Sequence, residues 1–463
     1  MTGERQGDEG GVIRQAREAQ RAWAALPVGA RRQALAPLGR RLRDRSDEAA
    51  QVVERERGTP SLGALAGEVL GAVDLIAHWQ ATIEDRLAVD ELAPRTLRAP
   101  RKEGRASREA RGVIALIGAA HEPIAGPLRT LVPALLAGNA VVVAPGAPAC
   151  AALVLSLFDG LLPHGLLTTW TGDAVALAAS AVDHVVCEAA RSTAARVAAA
   201  CAERLGTSTL TVVGEGAAVV MADADLARAA RGVTWGAFGA PGPTGAARVV
   251  WVESAVADDL FARLSEQVAA LRPGVDVPAG TTPAVRRWSP DEVPDAGALV
   301  VRAVGSVSEA LAAVAAGSYD SLSLWTSDRP RGEMLTAHLP VALVGINTHG
   351  LADARPAAHE VGALTDALVT LTRPRVVLVD RSLLGPEPWW FPHGPALRTL
   401  VGSQLSLAVG GLAERWAARL LGRTRALGRQ LEQRDPAPAV EPTAPAAGDS
   451  PPGEPPPGGP PAP

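Results

Sequence analysis

Lysine is all but missing from this chain: Lys102 is the only one in 463 residues. Arginine supplies the cations, and 45 Lys+Arg against 49 Asp+Glu leave a formal net charge of −4. The arginines are interspersed with acids rather than clustered, which excludes the basic footprint of a nucleic-acid binder. Richness in Ala, Arg, Gly and Pro fits a high-GC codon bias, so a missing lysine means little at most positions. It means much wherever chemistry needs an ammonium group. Cysteine is also scarce, and Cys150, Cys187 and Cys201 show no paired spacing. That argues against a disulfide framework and against a zinc site, and no metal is expected. The polar opening, residues 1–9, has no apolar core, so no signal peptide is expected. Apolar stretches are broken by Gly, Pro or charge short of the roughly 20 residues of a membrane span. A cytoplasmic protein is expected.

What is present is a large supply of core. Hydrophobic residues make up 47% of the chain, and its length suits two or three domains. Residues 11–86 read as helices, with apolar positions at three and four in Ile13, Ala16, Ala19 and Trp23 and again in Leu35, Leu38 and Leu42. Pro27 and Gly58-Thr59-Pro60 punctuate that run. After a polar, basic stretch over 96–108, short apolar runs alternate with alanine-rich helical segments, at 112–117, 140–143, 185–186 and 210–213. Such alternation predicts a parallel sheet covered on both faces. It repeats from 222 to 345, with strands expected at 249–252, 299–301, 322–325 and 341–344. Residues 366–380 look like a late edge strand. An amphipathic helical tail is expected over 397–433, and the Pro-rich end beyond it cannot bury enough surface to order. Trp389-Trp390-Phe391-Pro392 ahead of that tail suits either a membrane-surface anchor or packing against the sheet or a partner subunit, the second preferred.

Several of these stretches, in order, resemble the aldehyde dehydrogenase superfamily. Arg111-Gly112-Val113-Ile114-Ala115-Leu116-Ile117 followed by Pro123 is similar to the family's strand leading into a Pro-Trp-Asn-Phe-Pro element. Residues 133–143 match the next helix and strand, and Leu162-Pro163-His164-Gly165 with Thr171-Gly172-Asp173 match the connection after it. Asp223-Ala224-Asp225-Leu226 and Gly345-Ile346-Asn347-Thr348 add two further anchors. The resemblance spans roughly 11–380. It implies an α/β fold with a Rossmann-type cofactor domain (1–95 and 109–221), a truncated α/β catalytic-type domain (222–365) and an oligomerisation ribbon (96–108 and 366–382). The tails would then be 383–433 and 434–463.

The chemical parts of that resemblance are largely absent. The nucleophilic cysteine of the family's Gly-Gln-x-Cys element falls on Gly245, in Gly242-Pro243-Thr244-Gly245, and Thr244 has no evident base to activate it. The general-base glutamate falls on Thr211, which cannot deprotonate water or a thiol near neutral pH. Glu215, four residues on, reads as a solvated loop residue. The lysine and glutamate that hold the adenosine ribose fall on Ala144 and Ala147. The glycine-bearing phosphate turn falls on Cys187-Glu188-Ala189-Ala190, where Glu188 places negative charge near the expected pyrophosphate. Each lost contact weakens binding by about 1–3 kcal/mol. His121 takes the place of the oxyanion asparagine and could donate a hydrogen bond there, although an ordinary loop role is the simpler account. Cys187, at the end of a buried strand, is a poor substitute nucleophile. The family's Glu-x-Phe-Gly-Pro element has no counterpart before Val300-Val301-Arg302.

No catalytic, cofactor-binding or metal-binding residue can be assigned on these grounds. The reading is a catalytically inactive homologue with a scaffold or regulatory role, in a homodimer or in a hetero-oligomer with an active relative. No cofactor is expected, and NAD or NADP only if the family activity survives. The alternatives are an NAD(P)-dependent aldehyde oxidoreductase working through other residues, and an adaptor that binds a membrane surface or a partner through its C-terminal tail.

Overall fold

A computed structural model describes residues 3–92, 102–118, 120–212, 215–239, 246–278, 280, 282–289, 298–341, 343–349 and 367–380, with scattered positions between 391 and 406. Five helices open the chain, at Gly3–Ala24, Val28–Leu35, Leu38–Asp44, Ser46–Arg57 and Ser61–Arg86. Gly58 ends the fourth in the left-handed region at φ 73°, its N–H donating to the Glu54 carbonyl, where a side chain would be strained. The fifth helix corrects one expectation. At 26 residues, with a mean hydropathy of 1.3 over its most apolar window, it is long and apolar enough to cross a membrane. Gly63, Gly67, Glu68 and Asp74 interrupt its apolar run in the sequence without breaking its helix. Here its Leu75, Ile76, Trp79 and Ile83 are buried in the core of the first sheet's layer. A π-helical turn over Leu65–Val69 turns Glu68 into that interior.

Strands β1 (Asp90–Leu92) and β2 (Lys102–Ala110) pair antiparallel, Leu92 opposite Gly104. The next five strands form a parallel sheet: β3 (Val113–Gly118), β4 (Ala140–Pro145), β5 (Leu167–Thr169), β6 (His184–Ala189) and β7 (Thr207–Val212). Their order is β5-β4-β3-β6-β7. Central β3 is buried from Val113 to Ile117, which is why it reads as a continuous apolar run rather than an alternating one. Helices Ala125–Leu136, Pro148–Ser156, Ala174–Ala179 and Arg191–Glu203 connect the strands. Asn139 locks the entry to β4: its Oδ1 accepts from Gly112 N, and its Nδ2 donates to the Ala134 and Leu371 carbonyls, all at 3.0 Å.

A second parallel sheet begins at Glu215. Its strands are β8 (Glu215–Val220), β9 (Ala247–Glu253), β10 (Ala284–Arg287), β11 (Ala298–Val304), β12 (Tyr319–Trp325) and β13 (Leu343–Ile346), in the order β10-β11-β9-β8-β12-β13. Helices Leu226–Phe238 and Ala257–Ala269 contribute to one core, and Val307–Ala316 to the other. The alternation of β8 divides it between them: Ala218 and Val220 enter the first core, Ala217 and Val219 the second. Strand β10 falls in a stretch that the sequence left without a strand. Glu215 is also corrected: it is the exposed first residue of β8 and not a loop residue.

The last strand, β14 (Thr372–Asp380), follows a short helix at Ala367–Leu371 and joins β2 to complete a three-stranded sheet, β1-β2-β14. Residues 1–92 with 104–378 form one compact unit, and residues 93–103 with 379–463 form a second. Of the second, the structure describes the first two residues of β2, the last two of β14 and scattered positions from 391 to 406, several of them helical. The rest of the expected amphipathic tail and the Pro-rich end lie outside the described residues, as do Trp389 and Trp390.

Candidate functional site

In an open parallel sheet, ligands settle beyond the carboxyl ends of the strands where the chain order reverses. In the first sheet that place lies between β3 and β6. Gly118 ends β3 at φ 92°, and a Cβ there would lie 1.9 Å from the Glu188 carbonyl oxygen. The two backbones therefore touch, and Glu188 sits at the crevice. Its carboxylate has a buried Oε1 without a hydrogen-bond partner. Burial pushes its pKa up to about 7, Arg129 opposing and Glu122 adding to the rise.

Two more carboxylates share this interior. Glu122 pairs with Arg129 at 2.5 Å, both side chains largely buried. The Glu68 Oε2 accepts from Ile124 N at 2.9 Å and Ala125 N at 3.1 Å, the free amides at the start of helix Ala125–Leu136. Burial, reinforced by Glu122, raises the Glu68 pKa to about 8 against the pull of those amides. The next helix is filled in the same way. Glu56 accepts from Ala149 N at 2.9 Å and Cys150 N at 2.8 Å in the first turn of Pro148–Ser156. A helix N-terminus is a ready anion site. Here the two that follow β3 and β4 already hold the chain's own carboxyl groups. The third, at Arg191, opens three residues after Glu188.

The residues singled out from the sequence fall as follows. Ala144 and Ala147 are buried at the end of β4 and just after it, and offer neither charge nor hydrogen bond to a ribose. Thr211 lies on edge strand β7, opposite Glu188. Cys187 is buried within β6, and burial followed by the Glu188 charge pushes its thiol up to about 11. Cys150 is raised further, by burial and then Glu56, and all three cysteines are free and buried. His121 is exposed in the turn before Ala125–Leu136, with a pKa lowered by partial desolvation and then by Arg57. Gly245 and Thr244 lie outside the described residues. Glu188, expected to place negative charge near a pyrophosphate, is a half-buried acid whose pKa is raised to about 7. The sequence reading missed Glu68, Glu122 and Arg129. The available signal was a lone acid in the apolar run Leu65-Ala66-Gly67-Glu68-Val69-Leu70.

Two of the sequence anchors are structural. Asp223 accepts from Thr326 Oγ1 at 2.8 Å, Ser327 Oγ at 2.7 Å and the amides of Ser327 and Asp328, tying the end of β8 to the end of β12. Asn347, at φ 54°, accepts from Thr326 N at 2.9 Å and donates to the Thr326 carbonyl at 2.7 Å. Among the described residues no group of three or more His, Cys, Asp or Glu side chains could hold a metal ion.

The aldehyde dehydrogenase family model matches residues 5–286, and the chain belongs to that family. It is 30% identical over 232 residues to a 4,4'-diapolycopene aldehyde oxidase of Methylomonas sp, covering 49% of this chain and 44% of that protein. It is 28% identical over 274 residues to an NADP-dependent glyceraldehyde-3-phosphate dehydrogenase of Nicotiana plumbaginifolia, covering 57% of this chain and 55% of that one. The chain thus spans about half the length of the curated relatives it matches. In fold it resembles an NAD-dependent benzaldehyde dehydrogenase from Corynebacterium glutamicum, with a TM-score of 0.69 and 21% identity, over 80% of this chain and 89% of that one. An NADP-dependent glyceraldehyde-3-phosphate dehydrogenase from Bacillus halodurans C-125, complexed with NADP, gives a TM-score of 0.71 at 20% identity, covering 81% and 92%.

That fold raises the question of a nicotinamide dinucleotide in the crevice between β3 and β6. Its pyrophosphate needs free amides and positive potential. The crevice offers Glu68, Glu122 and Glu188 around Arg129, with Glu56 on the neighbouring helix.

Proposed function

We propose that this protein is an aldehyde dehydrogenase family member that no longer transfers hydride and serves as a scaffold or regulatory subunit in an oligomer. The observation that carries the reading is the occupation of the two helix N-termini after β3 and β4 by Glu68 and Glu56. Amides already bonded to Glu68 and Glu56 are not available to a pyrophosphate, and the third helix N-terminus, at Arg191, opens beside Glu188. The lack of a reactive thiol supports it further: the chain's three cysteines are buried, and the two with shifted thiols are shifted upward. The strand Thr372–Asp380 supports the oligomer, since Val376, Val377 and Leu378 stand exposed at a sheet edge. The partner is a second copy or an active relative. Three unpaired cysteines suit a reducing, cytoplasmic compartment.

The competing reading, an NAD(P)-dependent oxidoreductase that turns an aldehyde into a carboxylate, is favoured by the family itself. Calorimetry of the full chain with NAD and NADP at millimolar concentration, beside NADH or NADPH formation on an aldehyde panel, separates the two. The scaffold reading expects no saturable heat and no reduced cofactor. Saturable binding together with turnover would establish the oxidoreductase instead.

A further inference from the structure

The second sheet carries a cavity of about 560 Å3 that nothing above employs. One wall is a single face of helix Leu226–Phe238. Arg228, Arg231, Gly232 and Trp235 fall at i, i+3, i+4 and i+7, so they line up over two turns. The other wall comes from strand ends: Trp325 closes β12, and Asn347 and His349 follow β13. Glycines let these walls approach. A Cβ on Gly232 would lie 2.1 Å from the Trp325 ring, and one on Gly236 would lie 2.0 Å from the His349 ring. Both rings therefore lie directly on helix backbone.

The polar groups of the cavity are under-used. Among the described residues the Arg228 guanidinium donates once, to the Asn347 carbonyl at 3.2 Å, which leaves most of its fork open. Arg231 is exposed and makes no hydrogen bond or ion pair among the described residues. Asp225 is the one acid on the wall, and it is engaged as the helix cap, accepting from Arg228 N at 3.1 Å. His349 is 8% exposed, and its Nδ1 has no partner. Burial pushes its imidazole down to about 4, so it is neutral at pH 7, and as the Nδ1–H tautomer it is a donor. With two guanidiniums against one acid, the lining carries a net positive charge beside two tryptophan rings.

We propose that this cavity binds a small planar aromatic carboxylate, its carboxylate held by Arg228 and Arg231 and its ring against the exposed Trp235. The volume is that of a small-molecule site. Planar guanidinium forks match a carboxylate, and indole faces match an aromatic ring. The inference goes beyond the scaffold reading and does not depend on it, because binding here needs neither dinucleotide nor thiol.

Calorimetry of the full chain without cofactor tests it, with 2-naphthoate as the probe and 2-naphthalenemethanol and inorganic phosphate as controls. The expected result is one saturable naphthoate site, with binding of the uncharged alcohol weaker by about 10-fold or more. Arg228→Met and Arg231→Met should each weaken naphthoate by about 10-fold and leave the alcohol unchanged. Trp235→Ala should weaken both. These three side chains are exposed, so the variants should keep the parent's thermal midpoint, which checks that they fold. Naphthoate binding that fails to saturate by about 5 mM would overturn the proposal. So would affinity unchanged in the Arg228→Met/Arg231→Met double variant, or equal displacement by inorganic phosphate.

Discussion

Glu68 shows how one buried acid can shape a protein's response to pH. It and Glu188 bind a proton more tightly in the folded chain than in the unfolded one, with values raised to about 8 and about 7. Folding stability from these groups is therefore complete below the ordinary carboxylate range and is lost as pH rises through those values. The buried histidines His184 and His349 act in the opposite sense. Their values are lowered to about 4, so their stability is complete above 6.5 and is lost as pH falls towards 4. Of these four groups, only the carboxylates still change the stability with pH above 6.5. The thermal midpoint should therefore decline from about pH 6.5 to about pH 8.5, and Glu68→Gln should flatten that decline. Scanning calorimetry across this window checks it, and an unchanged slope in Glu68→Gln would refute the assignment. Little of this was legible beforehand. A glutamate in an apolar run signals only that something is unusual, and its neighbours Glu122 and Arg129 come from a distant part of the chain.

At the scale of elements, the closest approach in the crevice belongs to β3 and β6. Gly118 combines a positive φ with a Cβ position 1.9 Å from the Glu188 carbonyl, which is backbone and cannot turn aside. Gly118→Ala should therefore destabilise the chain by about 3 kcal/mol or more. Urea unfolding measures it, and a loss below about 1 kcal/mol would show that the two strands part easily. The elements themselves were well marked in the sequence wherever burial was complete. Val113–Ile117 and Val141–Val143 are apolar without interruption because helices cover both faces of their sheet. β10 was missed because Ala-Val-Arg-Arg at a sheet edge has no apolar run to announce it. Ser61–Arg86 was underestimated for a different reason. Glycines and isolated acids break a hydropathy run but not a helix that tertiary packing supports.

At the scale of the molecule, the exposed strand Thr372–Asp380 is, among the described residues, an apolar edge open to a partner. Val376 and Leu378, two residues apart and so on the same face, are each more than half exposed. Sedimentation of the wild-type chain should show a dimer or larger species. Val376→Lys/Leu378→Lys should sediment as a monomer with an unchanged thermal midpoint. A monomeric wild type would remove the self-association part of the proposed function and leave the hetero-oligomer to be tested with an active relative.

The sequence by itself determined family and architecture, because strand runs, Gly-Asn-Ala at β4, Asp223 and Asn347 are local patterns tied to backbone geometry. It also determined which groups are absent: a thiol at 245, a carboxylate at 211, and the charges at 144 and 147. Absence can be read from the residue alone. What occupies the helix N-termini after β3 and β4 was decided only by tertiary structure. Glu56 and Glu68 reach the helix N-termini from about 60 to 90 residues away in the chain, and burial resets the protonation of Glu188. The cavity beneath Trp235 exists because Gly232 and Gly236 let two distant rings lie on a helix. Those are long-range contacts and desolvation, and neither is written in the order of neighbouring residues.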